Sequence, residues 1–119
     1  MDYADRERRF GFVRARLRLV AAEDGGTTTG VWDDYRPNWG VGERLSGDGL
    51  IAGAPITVEG ADAIAPGETG IVHLHPMYWD AWADIRVGQS ITMLEGARIV
   101  GVAEVLEVVR RPEVEPGYR

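Results

Sequence analysis

Glycine and proline interrupt this sequence at short intervals, and their spacing limits the length of any regular element. The chain carries 16 glycines and 6 prolines. Turn sequences such as Pro66-Gly67-Glu68 and Glu95-Gly96 separate short apolar runs. Glycine supplies the positive φ angles that tight reversals need. Many short strands joined by such turns are typical of sandwiches and barrels. We therefore predict an all-β fold, a small closed or partly open antiparallel β-barrel.

The clearest strand lies near the N-terminus, where apolar and arginine residues alternate. Because successive side chains of a strand point to opposite faces, this period of two predicts one apolar face and one charged face. The apolar positions are Val13, Ala15, Leu17 and Leu19, and the charged positions are Arg14, Arg16 and Arg18.

The boundaries of the domain follow from where this patterning begins and ends. One short helical or loop insertion is predicted near residues 76–88, where Pro76 suits the first position of a helix over 77–85. The predicted segments are a charged N-terminal arm at 1–11, the β-barrel domain at 12–109 and a flexible polar tail at 110–119.

Composition excludes several classes of function. Since cysteine is absent, the chain has no disulfide, thiol nucleophile or thiolate metal site. A formal net charge of −6 disfavours general nucleic-acid binding, because a polyanion repels an acidic protein at long range. We find no apolar run near the roughly 18 residues that cross a bilayer, and no signal-peptide pattern. We expect one cytoplasmic domain, with no membrane contact and no cofactor.

Five short motifs occur in a fixed order along the chain. They are Glu23-Asp24-Gly25-Gly26, Tyr35-Arg36-Pro37-Asn38-Trp39, Pro66-Gly67-Glu68, His75-Pro76 and Glu95-Gly96-Ala97-Arg98-Ile99-Val100-Gly101. This order resembles the C-terminal, third β-barrel domain of translation elongation factor Tu. That domain has a Gly-Gly turn, a Tyr-Arg-Pro loop, a Pro-Gly turn and a final Glu-Gly hairpin ending in Val-Gly. The resemblance covers nearly the whole chain, from about Phe12 to Val109.

The resemblance implies docking without GTP hydrolysis. In the family this domain binds exchange factor, transfer RNA and, in some cases, toxins, but the chain lacks the Gly-x-x-x-x-Gly-Lys-Ser/Thr loop of a GTPase. Thr27 and Leu94 also stand where basic residues are usual in the family. We therefore expect a stand-alone, non-catalytic bacterial module that docks on a protein, possibly a translation-related one, as adaptor, modulator or mimic. RNA binding, to transfer RNA in particular, is the alternative.

Four residues are the candidate contacts with a protein partner. Trp79 and Trp82 lie in the insertion, and tryptophan is enriched at binding hot spots because it buries a large apolar area. The competing interpretation makes the insertion a lid over one end of the barrel, with buried rings. Tyr35 and Arg36 pair an aromatic ring with a guanidinium, which suits anionic or stacked partners, although Tyr35 can equally pack on the barrel.

The arginine face is the only candidate surface for nucleic acid. Arg14, Arg16 and Arg18 can meet phosphates, or they can form a solvated face paired with acidic residues on neighbouring strands. An edge strand of an open barrel can also pair with a second copy, so a homodimer is compatible with the sequence.

The remaining chemistry in the sequence is sparse. His73 and His75 share one face of a strand and can ligate a metal with Asp80 or Asp84, but strand histidines without a fixed third ligand more often pack or hydrogen bond. We predict no metal site and no catalytic residues, because neither serine lies in a nucleophile-elbow context. A small-molecule site or enzyme near residues 76–88 is the third, least favoured possibility.

Overall fold

The computed structural model describes residues 2–43 and 49–111. The Ser46-Gly47-Asp48-Gly49 sequence predicts a turn, but its first three residues lie outside the described ranges, and so does the predicted tail from position 112 onward. Two 3₁₀ helices, Ala22–Asp24 and Trp79–Trp82, lie in connections. The other elements within the described residues are α1 (Tyr3–Phe10), β1 (Gly11–Leu19), β2 (Val31–Trp32), β3 (Asn38–Glu43), β4 (Gly49–Gly53), β5 (Ile56–Glu59), β6 (Ala63–Ile64), β7 (Thr69–Leu74), β8 (Ser90–Glu95) and β9 (Arg98–Arg110).

Seven strands form one antiparallel sheet in the order β4-β3-β8-β9-β1-β7-β5, and β2 pairs with β6. The all-β prediction is confirmed. Among the described residues the sheet does not close into a barrel, because β4 and β5 remain its edges. These edge strands are consecutive in the chain, with only Ala54 and Pro55 between them. The Cα atoms of Gly53 and Ile56 are therefore at most about 11 Å apart, and the sheet curls until its edges approach there.

The core lies inside this curl, and β1 crosses its centre. The four apolar residues that alternate along β1 are all buried, which confirms the predicted period of two. Full burial of a leucine or valine side chain contributes about 1.5–3 kcal/mol. Trp39 is the largest buried side chain of the sheet, and its Nε1 donates a hydrogen bond to the Ala54 carbonyl at 3.1 Å.

The predicted charged arm contains a helix that the prediction lacked. Asp2 caps α1 by accepting a hydrogen bond from the Asp5 backbone N–H at 2.8 Å. Gly11 ends the helix at φ 88°, and a Cβ built there would lie 1.9 Å from the Val109 carbonyl oxygen. Only glycine therefore fits the junction between α1 and β1. No residue of α1 is fully buried, so the helix lies on the outside of the sheet.

The predicted helix over 77–85 is wrong in its extent. Only Trp79–Trp82 is helical, and that turn is 3₁₀. A helix over 77–85 would place Tyr78, Trp82 and Ile85 on one apolar face. Trp82 and Ile85 are buried, but Tyr78 is 79% exposed. Burying two apolar anchors from a short connection outweighs continuing a regular helix, since a helix this short has little stability of its own. None of the helices in the described ranges has the length and hydrophobicity of a membrane span.

Candidate functional site

An apolar patch lies on the outer face of the sheet, at the β4 edge and the strands beside it. We define it by four exposed side chains, Ile51, Met77, Tyr78 and Ile99, whose exposed fractions are 55%, 47%, 79% and 50%. Isolated apolar residues are common on protein surfaces, but contiguous ones mark interaction sites. The strand register decides whether these four are contiguous.

The strand register places the two patch residues that lie on strands, Ile51 and Ile99, on one face of the sheet. Gly53 of β4 pairs with Asn38, Asn38 pairs with Leu94, and Leu94 pairs with Ile99. Ile51 lies two residues before Gly53 and so projects from the same face. The Met77 N–H donates to the Gly53 carbonyl at 3.2 Å. Tyr78 follows directly, and on the same face the exposed Asn38 of β3 and the half-buried Leu94 of β8 lie between Ile51 and Ile99.

The two tryptophans of the insertion have different environments. Trp82 is 1% exposed and belongs to the core, as the lid interpretation expects of this ring, and this burial leaves it no surface for a partner. Trp79 is half-buried against that core, and the Arg110 guanidinium lies 5.6 Å from its ring centroid. Neither indole Nε1 has a hydrogen-bond partner among the described residues. The insertion therefore presents Met77, Tyr78 and part of Trp79 to solvent.

Tyr35 and Arg36 lie in a loop beside the patch. The Tyr35 ring packs on the core and meets the Trp32 ring edge-on at 5.8 Å, while its hydroxyl lies 3.5 Å from a Glu95 oxygen. Burial and the Glu95 carboxylate raise the pKa of Tyr35. Arg36 is exposed and pairs with Asp34 at 3.0 Å. Tyr35 thus borders the β8–β9 end of the patch, and Arg36 faces solvent next to it.

The arginine face is largely neutralised by acidic residues on neighbouring strands. Arg14 pairs with Glu59 and Arg16 with Glu104, each at 2.8 Å. Arg18 is exposed and has no ion pair among the described residues. Two of the three guanidiniums therefore already face carboxylates, and the stripe offers little free positive charge to a phosphate backbone.

A groove of about 610 Å³ lies between β3, β4 and the segment after the 3₁₀ helix. Its walls combine apolar side chains (Leu50, Ile85 and Val87) with the acidic residues Asp80 and Asp84. This is where the sequence places the least favoured possibility, a small-molecule site. Among the described residues, Asp80 and Asp84 do not join His73 and His75 in a cluster, so they are not the acidic ligands that a metal at these histidines would need.

The two histidines instead meet a carboxylate of α1. One oxygen of Glu7 lies 2.8 Å from His73 Nδ1 and 2.7 Å from His75 Nε2. Both rings lie on the face of β7 that the helix covers, as their spacing predicts. His75 is completely buried, and burial lowers its pKa, against the opposing effects of Glu7 and the Pro55 carbonyl.

Sequence reasoning missed Glu7 because it missed α1. The signals were present: Asp2 is a good N-cap, acidic Asp5 and basic Arg8 suit the two ends of the helix dipole, and Gly11 follows the last turn. No sequence signal relates Glu7 to histidines 66 and 68 residues away.

No protein-family model matches the chain, and none of the curated proteins is significantly similar to it.

Proposed function

We propose that this chain is a protein-binding module, built on a sheet like that of the third domain of elongation factor Tu, and that the outer apolar patch is its docking surface. The observation that supports the proposal most is that four large exposed apolar side chains lie on the outer surface between the β4 edge and β9. Four exposed apolar side chains on one surface lower the solubility of a protein, and such surfaces commonly bind other proteins.

The chemistry of the patch favours a folded protein partner. Its large exposed side chains are apolar, and Tyr78 adds an aromatic ring with a polar tip, the kind of side chain that contributes most at interfaces. Glu95 and Arg98, which pair at 2.6 Å, lie at its β8–β9 end and form a polar rim. The partner should therefore present an apolar centre of its own, with polar groups around it.

RNA binding has less support. The chain is acidic overall, and Arg14 and Arg16 are held by Glu59 and Glu104. A phosphate contact by either of these two arginines would first have to break its ion pair. If the resemblance to elongation factor Tu extends to function, the partner is a protein that recognises that factor's third domain, and the module competes for it.

Affinity capture from a lysate of the source organism, with and without nuclease, tests this function. We expect the wild-type chain to capture a specific protein in both conditions. Tyr78→Ser should weaken capture roughly tenfold or more, since aromatic hot spots often contribute over 1 kcal/mol. Tyr78 is 79% exposed, so this change should leave thermal stability nearly unaltered.

Val87→Ser is the matched control, because Val87 is 64% exposed but lines the groove rather than the patch. Loss of capture with Val87→Ser and retention with Tyr78→Ser would move the docking surface to the groove. Capture that disappears with nuclease would support the RNA alternative, and capture of a second copy of this chain would make the patch a dimer interface.

A further inference from the structure

We propose that Glu7, His73 and His75 form a binding site for a divalent first-row transition metal ion, with Zn²⁺ the best match. The inference is independent of the docking patch, since none of these residues belongs to it. Two imidazole nitrogens and one carboxylate oxygen are a common ligand set for Zn²⁺ sites that keep an open position. The three ligand atoms lie within 4.8 Å of one another.

The far nitrogen of each ring is held as in a metal-ligating histidine. His75 Nδ1 lies 3.0 Å from the Pro55 carbonyl oxygen, and His73 Nε2 lies 3.4 Å from a Glu59 carboxylate oxygen. The carbonyl at His75 Nδ1 fixes the proton there and leaves Nε2 free to act as a ligand, whereas His73 has a carboxylate at each nitrogen, and its Nδ1 can ligate when the proton lies on Nε2. Glu59 is itself fixed by Arg14 at 2.8 Å.

This proton assignment leaves a conflict that a cation resolves. A carbonyl can only accept, so the Nδ1 of His75 must donate to Pro55. In the neutral ring the Nε2 is then an acceptor, yet it lies 2.7 Å from an oxygen of Glu7. Two acceptors at this distance require a positive charge shared between them, either an added proton or a metal ion.

Aromatic packing holds both rings in place. The Phe12 ring stacks on His73 with a 4.5 Å centroid separation and a 10° interplanar angle, and the Tyr3 ring lies 4.5 Å from His75. The third ligand is adaptable, since Glu7 sits on a surface helix. Bonds of about 2.0–2.2 Å in a tetrahedral site separate the ligand atoms by about 3.3–3.5 Å, so Glu7 must withdraw by roughly half an ångström.

The site also has room for a fourth ligand. A cavity of about 250 Å³ lies beside it, and its walls include Tyr3, Glu7, Glu59 and His73. A water molecule can complete the coordination from this side. A bound ion would tie α1 to β7, and it would thus stabilise a helix of 8 residues that buries no side chain completely.

Zn²⁺ titration of the untagged chain by calorimetry, with a competing chelator, tests the proposal, and Co²⁺ absorption reports the geometry. We expect one ion per chain. Glu7→Gln and His73→Gln should each weaken binding about tenfold or more, because each removes a ligand. Asp84→Asn, which changes an exposed carboxylate outside the cluster, should leave affinity within about twofold.

Histidine ¹⁵N NMR of the wild-type chain keeps the test independent of whether the variants fold. Zn²⁺ should shift His73 Nδ1 and His75 Nε2 while the other ring nitrogens stay protonated. The proposal is overturned if no ion binds at one per chain, if binding is equally strong in Glu7→Gln and His73→Gln, or if other nitrogens respond.

Discussion

Replacing Trp82 with alanine measures how far the insertion is part of the core. Trp82 is 1% exposed, and truncating a buried tryptophan typically costs about 3–5 kcal/mol. The change also removes a buried Nε1 that has no hydrogen-bond partner among the described residues, and an unpaired donor costs about 1–3 kcal/mol. We therefore expect Trp82→Ala to lower the free energy of unfolding by about 3 kcal/mol, the low end of this range. At this chain length that loss lowers the Tm by about 10–15 °C.

Urea unfolding followed by tryptophan fluorescence and circular dichroism gives this free energy, with a constant m value as the check on two-state behaviour. Trp79→Ala is the comparison, and since Trp79 is only half-buried we expect a loss of about 1–2 kcal/mol. A loss below about 1 kcal/mol for Trp82→Ala would refute the lid, because so small a cost is incompatible with a fully buried ring.

Two further changes test the N-terminal helix. Gly11→Ala should cost about 2 kcal/mol or more, because it combines φ 88° with a Cβ 1.9 Å from the Val109 carbonyl oxygen. Gly96→Ala is the control, since Gly96 has φ 64° but open space around it, and this change should lower the free energy of unfolding by only about 1 kcal/mol in thermal unfolding. Equal losses in the two variants would contradict the close approach of residue 11 to the Val109 carbonyl. Tyr3→Phe should raise the pKa of Asp34, which the Tyr3 hydroxyl and then the Arg36 guanidinium hold below its usual value. A carboxyl group whose pKa is lowered in the folded state stabilises the fold at pH values above its unfolded pKa of about 3.9. That stabilisation is lost as the pH falls through the folded-state pKa, so the variant should lose less stability in acid than the wild type does. An NMR titration in which the Asp34 pKa is unchanged would show that α1 does not dock through Tyr3.

The sheet was predictable where a signal is local. In β1 the alternation of apolar and charged residues predicts directly which face is buried. The Glu95-Gly96 turn joins β8 to β9 as predicted, because glycine at φ 64° closes the hairpin. Whether the sheet closes into a barrel was not predictable. The answer depends on how the two edge strands lie relative to each other on either side of Ala54 and Pro55, and turn sequences carry no information about that geometry.

The site was less predictable, because its contacts join distant parts of the chain. The sequence allowed Arg14 and Arg16 to be paired with acidic residues on neighbouring strands, but it did not identify those partners, which lie 45 and 88 residues away. Similarly, the spacing of His73 and His75 predicted their shared face but not that Glu7 would cover it. In the insertion, Trp79 and Trp82 carry the same local signal, and only tertiary packing decides which ring is buried.

The docking surface is tested most directly by photo-crosslinking in cells of the source organism. A photoreactive phenylalanine analogue replaces Tyr78 or Ile99 in the patch, and in a control chain it replaces exposed Glu23, which lies on another part of the surface. The account predicts that positions 78 and 99 crosslink to the same protein and that position 23 does not. No protein crosslink at either patch position, or the same products from all three, would contradict it.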